Sequence, residues 1–278
     1  MWAQCPHRWK TSYVDGVREY TDSIHTMFGT SMHEVIQAFL TVMYNDSAKL
    51  AESLPLNDML KERMKRNFEQ IVKANGGEMF CTEKDMVEFY IHGTEILDFI
   101  KKKRDQYFSK RGYELIGIEV PLDYDLPNNI KFVGYIDIVI KDTVRDVIKI
   151  YDIKTSTMGW NKYMKADKNK TDQLLLYKQF YSKQFNHPLD KIEVEYFIVK
   201  RKLYENLDFP QKRVQKFVPA NGKPSINKVV TRLDNFITEC FNSDGEYNTE
   251  HIYRKEASKK NCKFCEFNQT EYCDVGVK

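Results

Sequence analysis

From Thr30 to Lys110 the chain repeats its apolar positions at helical spacing. His33, Ile36, Gln37 and Leu40 share one stripe, and Met59 to Val72 and Lys84 to Tyr107 continue the pattern. Asn75-Gly76-Gly77 divides this region in two. After Glu114 the period changes from that of a helix to that of a strand. Alternating runs rich in Ile, Val and Tyr occupy Glu114 to Asp123, Lys131 to Ile140 and Val147 to Ile153, and recur at Lys191 to Val199 and near Arg213 to Val218. Thr171 to Phe185 reads as a helix with Thr171 as its N-cap, and another helix is expected near Ile226 to Phe241. A helical segment, three strands, a helix and a strand predict an α/β fold, with a sheet packed against helices.

The two middle strands carry the chemistry. Only Lys141 to Asp146 separates them, so they predict an antiparallel hairpin that sets Asp137 and Asp152 on adjacent strands. Asp152 and Lys154 share a face, because side chains alternate along a strand. Two carboxylates and an ammonium in one cleft can hold a hard cation and a water beside a phosphodiester. An Asp-x-Lys alone is more often a solvated ion pair. Two Asp on paired, otherwise apolar strands change that balance, because like charges in a sheet are costly without a cation.

Gly134-Tyr135-Ile136-Asp137 followed by Asp152-Ile153-Lys154-Thr155 is similar to the motif of the PD-(D/E)xK nucleases. Gly29-Thr30-Ser31-Met32-His33 resembles the Gly-Thr-x-x-His motif of the RecB-type branch, and Gln173 to Tyr177 its Gln-x-x-x-Tyr helix. Cys5-Pro6 together with Cys262, Cys265 and Cys273 looks like the split cysteine set of the iron-sulfur subgroup, found in AddB and in CRISPR spacer-acquisition nucleases. The resemblance implies a restriction-endonuclease-like core: a mixed central sheet flanked by helices, with an N-terminal helical subdomain. Residues 1–278 would form a single nuclease domain. Its helical subdomain would span 30–110 and its core 111–220, with a C-terminal helix and cysteine-bearing tail over 221–278 packing back on the N-terminus.

The same resemblance assigns roles. Asp137 and Asp152 would coordinate Mg2+ or Mn2+, with the carbonyl of Ile153 as a further ligand. Lys154 would orient or deprotonate the attacking water and stabilise the transition state. His33 would be a metal ligand or stand just behind one, Glu119 is a candidate third carboxylate, and Gln173 and Tyr177 would contact DNA near the metal. The departures are in the cysteines. Seven residues separate Cys265 from Cys273 where five are common, and little chain precedes Cys5. An iron-sulfur cluster and a structural Zn2+ therefore both stand as readings of that set.

Composition narrows the function class. Six cysteines without an apolar signal region at the N-terminus argue against a disulfide framework and for an intracellular, cytoplasmic protein; Cys81 and Cys240, within helical patterns, read as buried thiols. No run approaches about 18 apolar residues, which excludes a membrane partner. A net charge of +3 does not by itself specify nucleic acid. Local clusters say more: Lys101 to Arg104, Lys200 to Lys202, and a stretch in which Trp160 and Tyr163 interleave with Lys162, Lys165, Lys168 and Lys170. That last stretch suits a single strand, with phosphates on lysines and bases on rings. The expected activity is a metal-dependent DNA exonuclease on single strands or strand ends, in recombination, repair or replication. The alternative is a non-catalytic or partner-dependent subunit of a helicase-nuclease or integration complex.

Overall fold

A computed structural model describes residues 1–17, 21–206 and 208–277. The chain divides into two compact units. The larger holds Asp22–Leu122 and Val133–Asn221; the smaller gathers Met1–Thr21, Asp123–Phe132 and Gly222–Lys278. The first helix, α1 (Pro6–Tyr13), belongs to the smaller unit and starts with Pro6, whose fixed φ suits a first helical position.

In the larger unit, α2 (Ile24–Asn45) is followed by α3 (Ala48–Ser53), α4 (Leu56–Ala74), α5 (Glu83–Lys102) and α6 (Arg104–Tyr107). Ser23 begins α2 by accepting a hydrogen bond from the Thr26 N–H, so Gly29-Thr30 lies inside the helix and does not precede it. Cys81 sits between α4 and α5, outside either helix, because Thr82 and Asp85 form a reciprocal cap that starts α5 after it. The strands β1 (Tyr113–Asp125), β2 (Lys131–Asp142) and β3 (Val147–Ser156) come next, then α7 (Lys162–Ala166), α8 (Lys168–Gln184), β4 (Ile192–Lys200) and β5 (Val214–Phe217). The N-cap of α8 is Asp167, whose carboxylate accepts from the Asn169 N–H at 3.1 Å. Thr171 is instead buried inside that helix, its hydroxyl donating to the Asp167 carbonyl.

The sheet order is β1-β2-β3-β4-β5. β2 and β3 are antiparallel, β3 and β4 parallel, and β4 and β5 antiparallel, so the sheet is mixed. The β2–β3 turn closes because the Asp142 carboxylate accepts from the N–H groups of Val144 and Arg145. Joining parallel β3 and β4 requires a crossover, which α7 and α8 supply. One face of the sheet presents Ile138, Ile140, Tyr151, Ile153, Phe197 and Val199 to a core shared with Phe28, Met32, Ile36, Leu40, Leu60 and Ile96 of α2, α4 and α5. Each such buried side chain contributes about 1.5–3 kcal/mol relative to exposure. Side chains on the other face alternate out of that core, and α8 packs there along β4, with the Tyr196 hydroxyl donating to the Lys170 carbonyl. This is the α/β architecture expected of a restriction-endonuclease-like fold.

The smaller unit adds α9 (Lys223–Cys240) and α10 (Lys259–Cys262). Trp9, Cys240 and Tyr253 form its buried centre, with Trp2, Phe236 and Phe241 packed around them. Cys240 is buried as its helical pattern predicts. Hydrogen bonds tie residues from the two chain ends: the His7 N–H donates to the Arg254 carbonyl at 3.1 Å, and Asn261 Nδ2 to the Gln4 carbonyl at 2.8 Å. Among the described residues no helix is long and apolar enough to cross a membrane.

Candidate active site and cysteine cavity

The β2–β3 register runs from Asp142↔Val147 to Ile138↔Tyr151, which makes Asp137 and Asp152 the next opposed pair. At that pair side chains replace the ladder. Asp137 Oδ2 accepts from the Ile153 N–H at 2.6 Å, and the Asp137 carbonyl accepts from Gln37 Nε2 at 3.3 Å. The strands thus carry two carboxylates at the place where their own pairing gives way.

Asp152 is 1% exposed. Lys154, two residues on and on the same face, donates to Asp152 Oδ1 at 3.1 Å and to Gln173 Oε1 at 3.0 Å. Asp152 Oδ2 is nearer the ammonium, at 2.8 Å, but lies outside a hydrogen-bonding direction; it is a buried oxygen without a hydrogen-bond partner. Burial lifts the Asp152 carboxyl to about 6 against the opposing pull of Lys154, and burial likewise lifts Asp137 to about 6. His33 Nδ1 lies 3.7 Å from Asp137 Oδ2; burial lowers its pKa, which favours the neutral imidazole.

Two groups brace this centre. Gln173 passes its amide N–H to the Tyr177 hydroxyl at 2.9 Å, so the Gln-x-x-x-Tyr pair lies one turn apart on α8 and ends on Lys154. Tyr177 is buried, and its ring lies 3.0 Å from where a Cβ on Gly134 would be, so a side chain at 134 would displace that ring. The other brace is Gln37, one turn beyond His33 on α2, which donates to the Glu119 carboxylate. Glu119 has φ +49°, a left-handed conformation in mid-strand that costs about 1–3 kcal/mol. The spacing of Gln37 from His33 was its only sequence signal, and the φ of Glu119 had none.

The basic stretch divides. Lys162, Tyr163 and Lys165 lie on α7, with Tyr163 73% exposed and Lys162 Nζ 5.1 Å from its ring centroid. Trp160 must be corrected as a base-stacking platform. It is buried against Tyr196, 4.9 Å between ring centroids, and Phe217, because its indole is large enough to complete the packing at the β4–β5 edge.

In the smaller unit, Cys5, Cys262, Cys265 and Cys273 line one cavity, and all four thiols are free. Burial pushes the Cys265 thiol up. Among the described residues, no three His, Cys, Asp or Glu side chains are arranged as a ready-made metal site, in either unit. The carboxylate site nonetheless fits Mg2+, which keeps several waters and takes only one or two carboxylates from a protein. Asp152 Oδ2, buried and held only by its ion pair with Lys154, is the kind of donor such an ion takes. The cysteine cavity has the donor set of a thiolate-bound metal, though its side chains are not closed around a point.

A mixed sheet with opposed carboxylates and a lysine at the mouth of one strand pair is a hydrolytic phosphodiesterase centre in outline. The chain matches the PD-(D/E)XK nuclease superfamily over residues 2–273, and it belongs to that family. Nucleases of this superfamily typically use divalent metals such as Mg2+ or Mn2+. A crystal structure of a "Putative exonuclease" from Eubacterium rectale is similar to the chain at 14% identity, covering 94% of this chain and 79% of that one with a TM-score of 0.48. No curated protein matches the sequence.

Proposed function

We propose that the protein is a metal-dependent deoxyribonuclease that trims single strands or strand ends, an exonuclease of recombination, repair or replication. The observation that carries this reading is the opposed pair Asp137 and Asp152, with the Ile153 N–H and Lys154 already engaged on them. Asp137, Asp152 and the Ile153 carbonyl would hold Mg2+ or Mn2+. A bound cation of this kind offsets phosphate charge and lowers the pKa of a water. Lys154, steadied by Gln173, would set its ammonium beside the phosphate, where charge develops in the transition state. His33, neutral, stands next to Asp137 and can complete the ligand set or hold Asp137 in place. Glu119, restrained by Gln37, supplies a third acid at the rim. Lys162, Lys165 and Tyr163 on α7 suit the strand's phosphates and one base, without base-specific reading.

The cysteine cavity would hold an iron-sulfur cluster with a structural role, through Cys5, Cys262, Cys265 and Cys273; their convergence from both ends of the chain supports this. Elemental analysis of anaerobically prepared protein separates it from one Zn2+ per chain. The activity is tested by digesting end-labelled single- and double-stranded DNA, linear and circular, with Mg2+ or Mn2+. Release of end nucleotides from linear strands, with circles spared, is expected. No cleavage of any substrate with either ion would overturn the reading.

A further inference from the structure

A second polar pocket opens where β3 leaves the sheet. It has a volume of about 130 Å³ and is lined by Thr155, Ser156 and Thr157, by Arg201 just past β4, and by His25 and Phe89. That space admits a phosphate with its hydration. Thr155 lies on the face of β3 opposite Asp152 and Lys154, the face that α2 covers; His25 at the pocket and His33 beside Asp137 are eight residues apart on α2, about 12 Å at ~1.5 Å per residue, so that helix links the pocket to the carboxylates.

Arg201 is the unusual member. Its side chain is 9% exposed, and its guanidinium carbon stands 4.0 Å from the Phe89 ring centroid. Nη1 is engaged, with Glu88 at 2.8 Å and His92 Nδ1 at 3.0 Å, whereas Nε is buried without a hydrogen-bond partner. Arg201 lines the pocket as a largely desolvated cation, which strengthens a charge-assisted hydrogen bond to an anion placed there. Glu88 does not neutralise the group, because it also serves Lys202 at 2.9 Å, leaving two cations to one carboxylate. The backbone fixes the arrangement: the Arg201 N–H donates to the Ser156 carbonyl at 2.8 Å, and the Lys202 N–H to the Thr157 carbonyl at 2.7 Å. His25 brings the first turn of α2, a 22-residue helix whose positive end favours an anion.

We infer that this pocket binds a phosphate of the substrate strand a short way from the one that is cleaved, through the Arg201 guanidinium and the Thr155 and Thr157 hydroxyls. The inference rests on the nuclease reading of the neighbouring carboxylates, and it deepens that reading by naming what positions the strand. Removing one charged hydrogen bond from such a grip weakens it by about tenfold. The test measures binding of fluorescent single strands in EDTA, so that nothing is cut, to the wild type and to Arg201→Lys, Thr155→Val and Thr157→Val. Four strands are compared: 5′-phosphorylated, 3′-phosphorylated, hydroxyl-ended and circular.

Each variant is expected to raise Kd by about tenfold, and in Mg2+ or Mn2+ to raise KM by a similar factor with kcat within about twofold. A loss confined to one phosphorylated end identifies a terminal phosphate as the ligand; an equal loss on all four strands identifies an internal phosphodiester. Unchanged Kd for every strand in folded variants overturns the pocket, as does a wild type that binds no strand. If Arg201→Lys does not fold, the exposed Thr157→Val carries the test alone. Should the wild type bind strands through this pocket yet cut none, the pocket stands and the nuclease reading fails.

Discussion

The carboxylate centre and the cysteine cavity are built in opposite ways. Asp137, Asp152 and Lys154 stand on regular strands within a span of 18 residues, and each already has a hydrogen-bond partner that fixes its direction. The cysteines come from an N-terminal helix cap and a C-terminal tail, with Cys5 and Cys262 separated by most of the chain, and their thiols share a cavity without bonding to one another. Strand geometry sets the first group before any ion binds. The second depends on the fold around it, so a bound metal there would bring order as well as chemistry. On the proposed reading, reactivity is entrusted to preorganised β-structure and cohesion to long-range closure.

The sharpest way to break that contrast is to remove a member of the first centre. Asp137→Ala, Asp152→Ala or Lys154→Ala should cut kcat by about a thousandfold or more while leaving strand affinity within a few-fold, because these groups act on the transition state. Turnover near that of the wild type in any of the three, followed with end-labelled DNA, would end the assignment. In the cysteine cavity the expected loss is of a different kind. Replacing Cys5, Cys262, Cys265 or Cys273 by Ser should bleach anaerobically purified protein and lower Tm by about 5 °C or more, whereas Cys81→Ser should leave metal content unchanged. Iron and sulfide assays alongside calorimetry decide it; equal metal in all variants would remove the cavity from consideration.

Next in size is a pH effect. Burial holds the carboxyls of Asp137 and Asp152 up, to about 6, above the ordinary 3.8. A raised folded pKa means that the folded chain holds its protons more tightly than the unfolded one. The stability this gives is complete below about 4 and is lost as pH rises through about 6. Asp152→Asn abolishes the charge, so in EDTA above pH 7 the variant should be more stable than the wild type by on the order of 2 kcal/mol, and Mg2+ should narrow the gap by stabilising only the wild type. Thermal melts at pH 5 and pH 8 check the sign; a wild type that gains stability relative to the Asn variant as pH rises between those values contradicts it. The smallest effect belongs to Gln37→Ala, which frees Glu119 and should slow turnover by about fivefold without altering Tm by more than a degree or two. A KM change with kcat intact would show that Gln37 positions the strand and not the acid.

Much of the fold was legible because its signals are periodic. Alternation from Lys131 to Ile153 carried the hairpin and, with it, the meeting of Asp137 and Asp152. Where the structure departs from expectation, the deciding force is a local hydrogen bond or packing that no period encodes. Ser23 and Thr26 start α2 ahead of Thr30, and Asp167 caps α8 ahead of Thr171. Trp160 has the same neighbours in sequence whether its ring faces water or Tyr196, so its burial could not be read from the lysines around it. Glu119 needed a backbone conformation, and Gln37 a contact 82 residues away in sequence, before their pairing was visible.

The smaller unit is assembled from three separated stretches, Met1–Thr21, Asp123–Phe132 and Gly222–Lys278. On a ribosome its first stretch must wait for its last. At about 5–20 residues per second, that delay is roughly 10 to 50 seconds. Through that interval Trp2 and Trp9 lack the aromatic partners Phe236, Phe241 and Tyr253 that pack around them in the finished protein. The nascent chain therefore carries uncovered aromatic side chains throughout the synthesis of the larger unit, a demand on cellular chaperones that the larger unit, built almost wholly from consecutive residues, does not make.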